Sequence, residues 1–205
     1  MHKEIELISK RNKVFRIVED DCTYIIKKFE NHENYIMEKE ILNILKKAGV
    51  KVPSIIKEEE NHLYLEDLGE FNFLDWYEEQ EKSNTLDLRM VNTLCSYLKS
   101  FYSAVFGFYK EQYILYDVNF KNFIIAGNEI YGLDFEQVRL GNIQEDAGKL
   151  SAFGLTYSPS MTEWKNNFRN IFIEILSKKL NIEKEKIIEE EQKELKAIEK
   201  RRKLL

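Results

Sequence analysis

Short apolar runs with period-two alternation open the chain, and a helical period takes over further on. Val14-Phe15-Arg16-Ile17-Val18 and Thr23-Tyr24-Ile25-Ile26-Lys27-Lys28-Phe29 flank the acidic turn Glu19-Asp20-Asp21, which predicts two strands of a hairpin. From Glu33 to Lys47 the apolar positions Ile41, Leu42 and Leu45 share one helical face, and Ala48-Gly49 with Pro53 beyond closes that helix. Two further strands lead to Gly69. Past Gly69, Phe71, Phe73, Leu74, Trp76 and Tyr77 predict a short packed helix. Between 85 and 110, Leu88, Val91, Leu94, Cys95, Leu98, Phe101, Tyr102 and Val105 recur three or four apart, the stripe of a buried helix. Phe123–Ala126, the turn Gly127-Asn128 and Ile130–Leu133 predict a second hairpin. Thr162 is placed to cap a helix from Glu163 to Leu180. The fold class is therefore α+β, with a sheet-rich lobe over 1–69 and a mainly helical lobe over 70–205.

Charged residues stand out against this pattern. Alternation puts Lys27 on the face of Ile25 and Phe29 and Lys28 on the other. A lysine among apolar neighbours is costly unless paired, so Lys27 calls for an acid, although two solvated lysines on an edge strand fit the same letters. Glu38 precedes Ile41, Leu42 and Leu45 by three, four and seven residues and so projects along the buried stripe. Glu40 points away from it, at about 100° per residue. Glu38 is the better partner for Lys27.

The densest chemistry is Tyr116-Asp117-Val118-Asn119-Phe120-Lys121-Asn122, with Leu133-Asp134-Phe135-Glu136 across the second hairpin. An Asp, an Asn five positions on and a second Asp twelve residues later match the groups that phosphotransferases bring to ATP, metal and an attacking hydroxyl. The first carboxylate must meet the hydroxyl, while the Asn and the second carboxylate meet metal ions on the phosphates. All must converge from one loop and its neighbouring strands. An ordinary hairpin with solvated polar ends carries the same letters.

The order of these parts, from about Ile8 to about Phe153, resembles the protein-kinase-like superfamily, and more closely its aminoglycoside phosphotransferase and choline kinase branch. Glu38-x-x-x-Leu42-x-x-Leu45, Gly49-Val50-x-Val52-Pro53 and Leu63-Tyr64-Leu65-Glu66-Asp67-Leu68-Gly69 look like that branch's helix, strand and hinge. Asp134-Phe135-Glu136 is similar to the D-F-E of choline kinase relatives, and Asp146-Ala147-Gly148-Lys149-Leu150 to the segment that follows it. The resemblance implies a two-lobed kinase fold that binds ATP and Mg2+ in the cleft. It implies Asp117 as the catalytic residue, Asn122 and Asp134 as metal ligands, and Lys27, Glu38, Ser9, Asn12, Glu66 and Leu68 as nucleotide-binding positions. Two departures bear on it. The loop Ser9-Lys10-Arg11-Asn12-Lys13 has no glycine, and Leu115 stands where the branch has His. Lys121, four residues after Asp117, either turns toward the γ-phosphate or faces water.

Composition narrows the classes. The chain has 205 residues, 43% hydrophobic and 13% aromatic, enough for a real core. A net charge of -5 argues against nucleic-acid binding by the whole surface, with the basic end Arg201-Arg202-Lys203 the only local hint. That end closes a charge-dense tail from Asn181, read most simply as a solvated terminal helix. Met1-His2-Lys3-Glu4 opens no secretory signal, and no apolar run approaches the ~18 residues a membrane helix needs. Cys22 and Cys95 form no disulfide or zinc pattern, which fits a cytoplasmic location. Three readings follow: a phosphotransferase acting on a hydroxyl, an idle kinase-like binding module, and a nucleic-acid-associated factor. Only Gln137–Glu145 separates Asp134-Phe135-Glu136 from Asp146, too short for the regulated loop of a protein kinase. A small-molecule hydroxyl is thus the expected acceptor.

Overall fold

The computed structural model describes residues 2–20 and 22–203, so the turn position Asp21 lies outside the described residues. Three strands, β1 (Lys3–Leu7), β2 (Lys13–Glu19) and β3 (Cys22–Lys28), precede helix α1 (His32–Lys47), and β4 (Ile55–Glu59) and β5 (His62–Glu66) follow it. They make one sheet in the order β1-β2-β3-β5-β4, antiparallel at every pairing. Strand β1 is one more than the expected pair before the helix. Its charged Lys3, Glu4 and Glu6 face solvent, leaving Ile5 and Leu7 as the only inward signal. Strand β3 lies at the centre, so its inner face is covered.

Asn31 caps α1 by accepting hydrogen bonds from the backbone N–H of Glu33 and Asn34. Gly49, at φ 75°, ends it, in the left-handed region glycine adopts without strain. The helix buries Ile41, Leu42 and Leu45 and, in the same stripe, Glu38.

The second lobe contains α2 (Phe73–Lys82), α3 (Leu88–Tyr109), β6 (Tyr113–Ile114), a 3₁₀ turn (Phe120–Asn122), the hairpin β7 (Phe123–Ala126) and β8 (Glu129–Gly132), β9 (Arg139–Leu140) and three helices, α4 (Ile143–Thr156), α5 (Glu163–Leu180) and α6 (Lys184–Lys203). Strand β9 pairs with β6 beside the hairpin. The α3 stripe is buried from Val91 to Val105, whereas Leu88, at the first helical position, is exposed. Phe120 is fully buried and packs on Phe73, Tyr77 and Phe168 at ring separations of 5.0, 5.2 and 5.9 Å. That aromatic cluster moors the loop between Asp117 and Asn122 to α2 and α5. Among the described residues, no helix is long and apolar enough to cross a membrane.

The charged tail is not a solvated helix. Ile187, Glu191 and Ile198 of α6 are buried. Glu191 accepts hydrogen bonds from Arg169 Nε at 2.8 Å and Nη2 at 2.6 Å, and from the Ser151 hydroxyl. Arg202 donates to the Thr156 carbonyl at 2.7 Å. The sparse apolar anchors are therefore supplemented by a buried, fully partnered acid, which composition alone does not reveal.

Gly148 explains how closely α4 and α6 approach. A Cβ there would lie 2.5 Å from Glu190 Cβ and 2.6 Å from the Glu191 backbone nitrogen. Overpacking against backbone costs roughly 1–3 kcal/mol, while Ala instead of Gly in a helix returns at most about 1 kcal/mol. The clash should win. Gly148→Ala is expected to lower the urea midpoint of unfolding, and an unchanged or raised midpoint would mean that α6 does not rest on α4 at this point.

Candidate active site

Lys27 lies on the central strand, opposite Val14 of β2 and Leu63 of β5. Its side chain is buried, with the ammonium 3.3 Å from Glu38, 2.7 Å from Asp134 and 3.3 Å from Glu136. Burial alone would lower its pKa, but the charges of these three acids outweigh it and hold the group above its ordinary value, so it stays charged. Glu38 is raised for the matching reason: burial and the neighbouring carboxylates act against the pull of Lys27. Three acids from α1 and the end of β8 thus crowd one ammonium, and one oxygen from each lies within 4.8 Å of the others.

Asp134 holds a left-handed backbone, φ 64°, a conformation that costs most non-glycine residues about 1–3 kcal/mol and persists where surroundings impose it. It lies just beyond β8, and Leu133 N–H donates to the Asn122 carbonyl at 2.9 Å, stitching the hairpin's exit to its entry. Asn122 Nδ2 in turn donates to the Asp117 carbonyl at 3.0 Å. Asp117, Asn122 and Asp134 line one crevice between the loop and the hairpin.

The loop before Asp117 depends on a residue to which the sequence gave no role. Asp146, on the first turn of α4, is fully buried. It accepts hydrogen bonds from Leu115 N–H at 2.7 Å, Tyr116 N–H at 2.9 Å and the Tyr102 hydroxyl at 3.0 Å. Lys149, one turn further along, donates to the Tyr116 carbonyl at 2.7 Å. Tyr116 itself is left-handed, φ 63°. Leu115 fills an apolar site, and the backbone on both sides of it is tied by Asp146. The segment Asp146-Ala147-Gly148-Lys149-Leu150 was the signal that could have found it.

The remaining candidates surround a cleft of about 380 Å³ lined by Ser9, Lys27, Glu38, Glu66, Leu68, Lys121, Asn122 and Asp134, among others. Ser9 Oγ accepts a long bond, 3.4 Å, from the Asn12 N–H. The Asn12 side chain is directed away from the cleft mouth: it is buried and donates to Glu136 Oε2. Glu66 accepts from the Ser54 N–H and hydroxyl, at 3.0 and 2.8 Å, and these bonds lower its pKa. Two residues here were not singled out from the sequence. Arg11 donates through Nη2 to Asp117 and through Nε to Glu136 at 2.8 Å. Glu136 holds Arg11, Asn12 and Lys27 at once.

No protein-family model matches the chain, and no curated protein sequence matches it. Among solved structures it is similar to amicoumacin kinase in complex with AMP-PNP, Ca2+ and Ami, with a TM-score of 0.63 over 87% of this chain and 72% of that one. The fold is thus a kinase-like α+β one, a five-stranded antiparallel sheet followed by a mainly helical remainder. At 14% identity the likeness carries the fold alone.

Burial pushes the Asp146 carboxyl up to about 6 from an ordinary 3.8, against the hydrogen bonds that favour its ionised form. A raised folded-state value means that its stabilising contribution is complete below about 3.8 and is lost as pH rises through about 6. Asp146→Asn removes that titration. Urea midpoints followed from pH 4 to 7 should fall less steeply, or rise more, in Asp146→Asn than in wild type. Parallel profiles would place Asp146 in contact with water.

Proposed function

We propose that this chain is an ATP- and Mg2+-dependent phosphotransferase that moves the γ-phosphoryl group to a hydroxyl of a small molecule, with residues 1–69 and 70–205 as its two lobes. The observation that carries the reading is the convergence of Lys27, Glu38, Asn122 and Asp134, from four separate chain segments, on one cleft, with Asp117 in the crevice that adjoins it at Asn122 and Asp134. Its fold is shared with an enzyme solved with an ATP analogue and a divalent cation.

The residues fit the task. Asp134 and Asn122 offer hard oxygen ligands, the type Mg2+ prefers, on the crevice beside Asp117. Bound there, Mg2+ would neutralise charge on the phosphates. Lys27, oriented by Glu38, would bind the α- and β-phosphates, and Ser9, Glu66 and Leu68 would form the surrounding nucleotide site, with Asn12 anchoring the loop behind it rather than touching nucleotide. Asp117 would orient the acceptor hydroxyl and take its proton as the bond to phosphorus forms. Catalysis of this kind is positioning and charge stabilisation, with little covalent work for the protein. The short segment from Gln137 to Glu145, which holds the two-residue β9 and the first residues of α4, favours a small acceptor over a protein.

A second reading, an idle module that binds nucleotide without turnover, draws on the ion pair that occupies Asp117. Two variants separate them. Asp134→Ala should weaken Mg-ATP binding in calorimetry by at least about tenfold, since it removes a metal ligand. Asp117→Ala should leave Mg-ATP affinity nearly unchanged and lower turnover by about 10²–10⁴-fold on a hydroxylated substrate found in a metabolite panel. Nucleotide binding with no turnover on any acceptor favours the idle module. Absence of Mg-ATP binding to the wild type at millimolar nucleotide would sink both.

A further inference from the structure

The loop between β1 and β2 has no glycine, so it lacks the residues that let a lid bring backbone amides onto phosphates. It brings a guanidinium instead. Asn12 is buried and fastens the loop by donating to Glu136. Its neighbour Arg11 is two-fifths exposed and reaches from the sheet lobe across to the helical one. Arg11 Nη2 pairs with Asp117 Oδ2 and lies 3.9 Å from Asp134 Oδ2, while Nε rests 2.8 Å from Glu136. The guanidinium therefore stands between the carboxylate assigned to the acceptor and the one assigned to the metal. In a phosphotransferase that gap is where the phosphoryl group passes.

Charge balance gives the contact a direction. Glu38, Asp117, Asp134 and Glu136 share Lys27 and Arg11, so carboxylates outnumber cations in the cluster. An arriving metal–nucleotide complex carries cations that need Asp134 and phosphates that need the guanidinium. After the exchange Asp134 faces the metal and the guanidinium faces phosphate, while Asp117 is left without its cation. Two-pronged guanidinium donors also suit phosphate oxygens better than a point-charge lysine does.

We propose that Arg11 acts in cis on the transferring phosphoryl group, leaving Asp117 for the γ-phosphate oxygens when metal–nucleotide binds; this rests on the phosphotransferase reading. In the step itself the bond from the γ-phosphorus to the bridging oxygen breaks, with its electron pair leaving on ADP. The bond to the acceptor oxygen forms, and the hydroxyl proton passes to Asp117. Arg11 faces the charge on the γ-oxygens, and its departure frees Asp117 to accept that proton. Nucleotide arrival and readiness of the base are thereby coupled through one side chain.

Calorimetry with Mg-ADP and with Mg-AMP-PNP tests this on the wild type, Arg11→Ala and Arg11→Lys. The wild type should prefer the triphosphate analogue by about tenfold or more, the size of one charge-assisted contact. Arg11→Ala should lose that preference and keep its Mg-ADP affinity within about twofold, and Arg11→Lys should fall between. Equal affinities in the wild type, or an Arg11→Ala variant that keeps the preference or binds both nucleotides more tightly, would overturn the proposal while leaving the phosphotransferase reading standing. A wild type that binds neither nucleotide removes that reading and this one together.

Discussion

Lys27 is the constraint on which the arrangement turns. An ammonium taken out of water costs several kcal/mol unless acids come with it, and the central strand buries this one completely enough that solvent cannot supply the compensation. The acids must come from elsewhere in the chain. Glu38 arrives because α1 packs its stripe against the sheet, and Asp134 and Glu136 arrive because the β7–β8 hairpin ends at the cleft. One buried charge thus dictates the seating of α1 on the sheet and of the hairpin beneath it. The same crowding leaves a surplus of carboxylate, which is the condition a divalent cation would relieve.

A second buried charge does comparable work in the other lobe. Among the described residues, Asp146 has no cation at bonding distance. It is satisfied by two backbone N–H groups and a tyrosine hydroxyl. Those donors belong to the residues immediately before Asp117 and to α3, so the loop's unusual left-handed turn at Tyr116 is held against α4. Leu115 needs no polar side chain on this arrangement, since the hydrogen bonds that shape the loop run to its backbone. Phe120, sunk among Phe73, Tyr77 and Phe168, fixes the loop from the far side.

Local periodicity announced much of this. The α1 stripe, the α3 stripe, the second hairpin with its Gly127-Asn128 turn, and the Thr162 cap all follow from letters within a dozen residues of each other, and each has its counterpart in the structure. Strand β1 was obscured because an edge strand keeps one charged face, and α4 because Gly148, Ser151 and Gly154 break up its apolar stripe where neighbours press close. The tail misled for a related reason. Its core contact is an acid, Glu191, and a buried acid looks like any other until Arg169 and Ser151 are seen around it. Within the site, the phase of Lys27 and Glu38 was legible from strand and helix geometry. Arg11, Glu136 and Asp146 were not, because their roles are defined by partners 30 to 125 positions away.

Arg11 and Asn12 show how a loop without glycine can still be ordered over a cleft. A glycine-rich lid works by letting backbone approach closely, and it has little to hold it when the site is empty. Here the loop is fastened to the helical lobe through Glu136, which accepts from both residues while also facing Lys27. The residue that ends the Asp134-Phe135-Glu136 motif therefore joins two things that a glycine at that position would leave separate: the loop over the cleft and Lys27. The lid gains order at the expense of freedom to open, and the exposed guanidinium at its tip is the part that remains able to change partners. The glycine-free loop and the acid after Phe135 are then one structural feature seen from both of its sides.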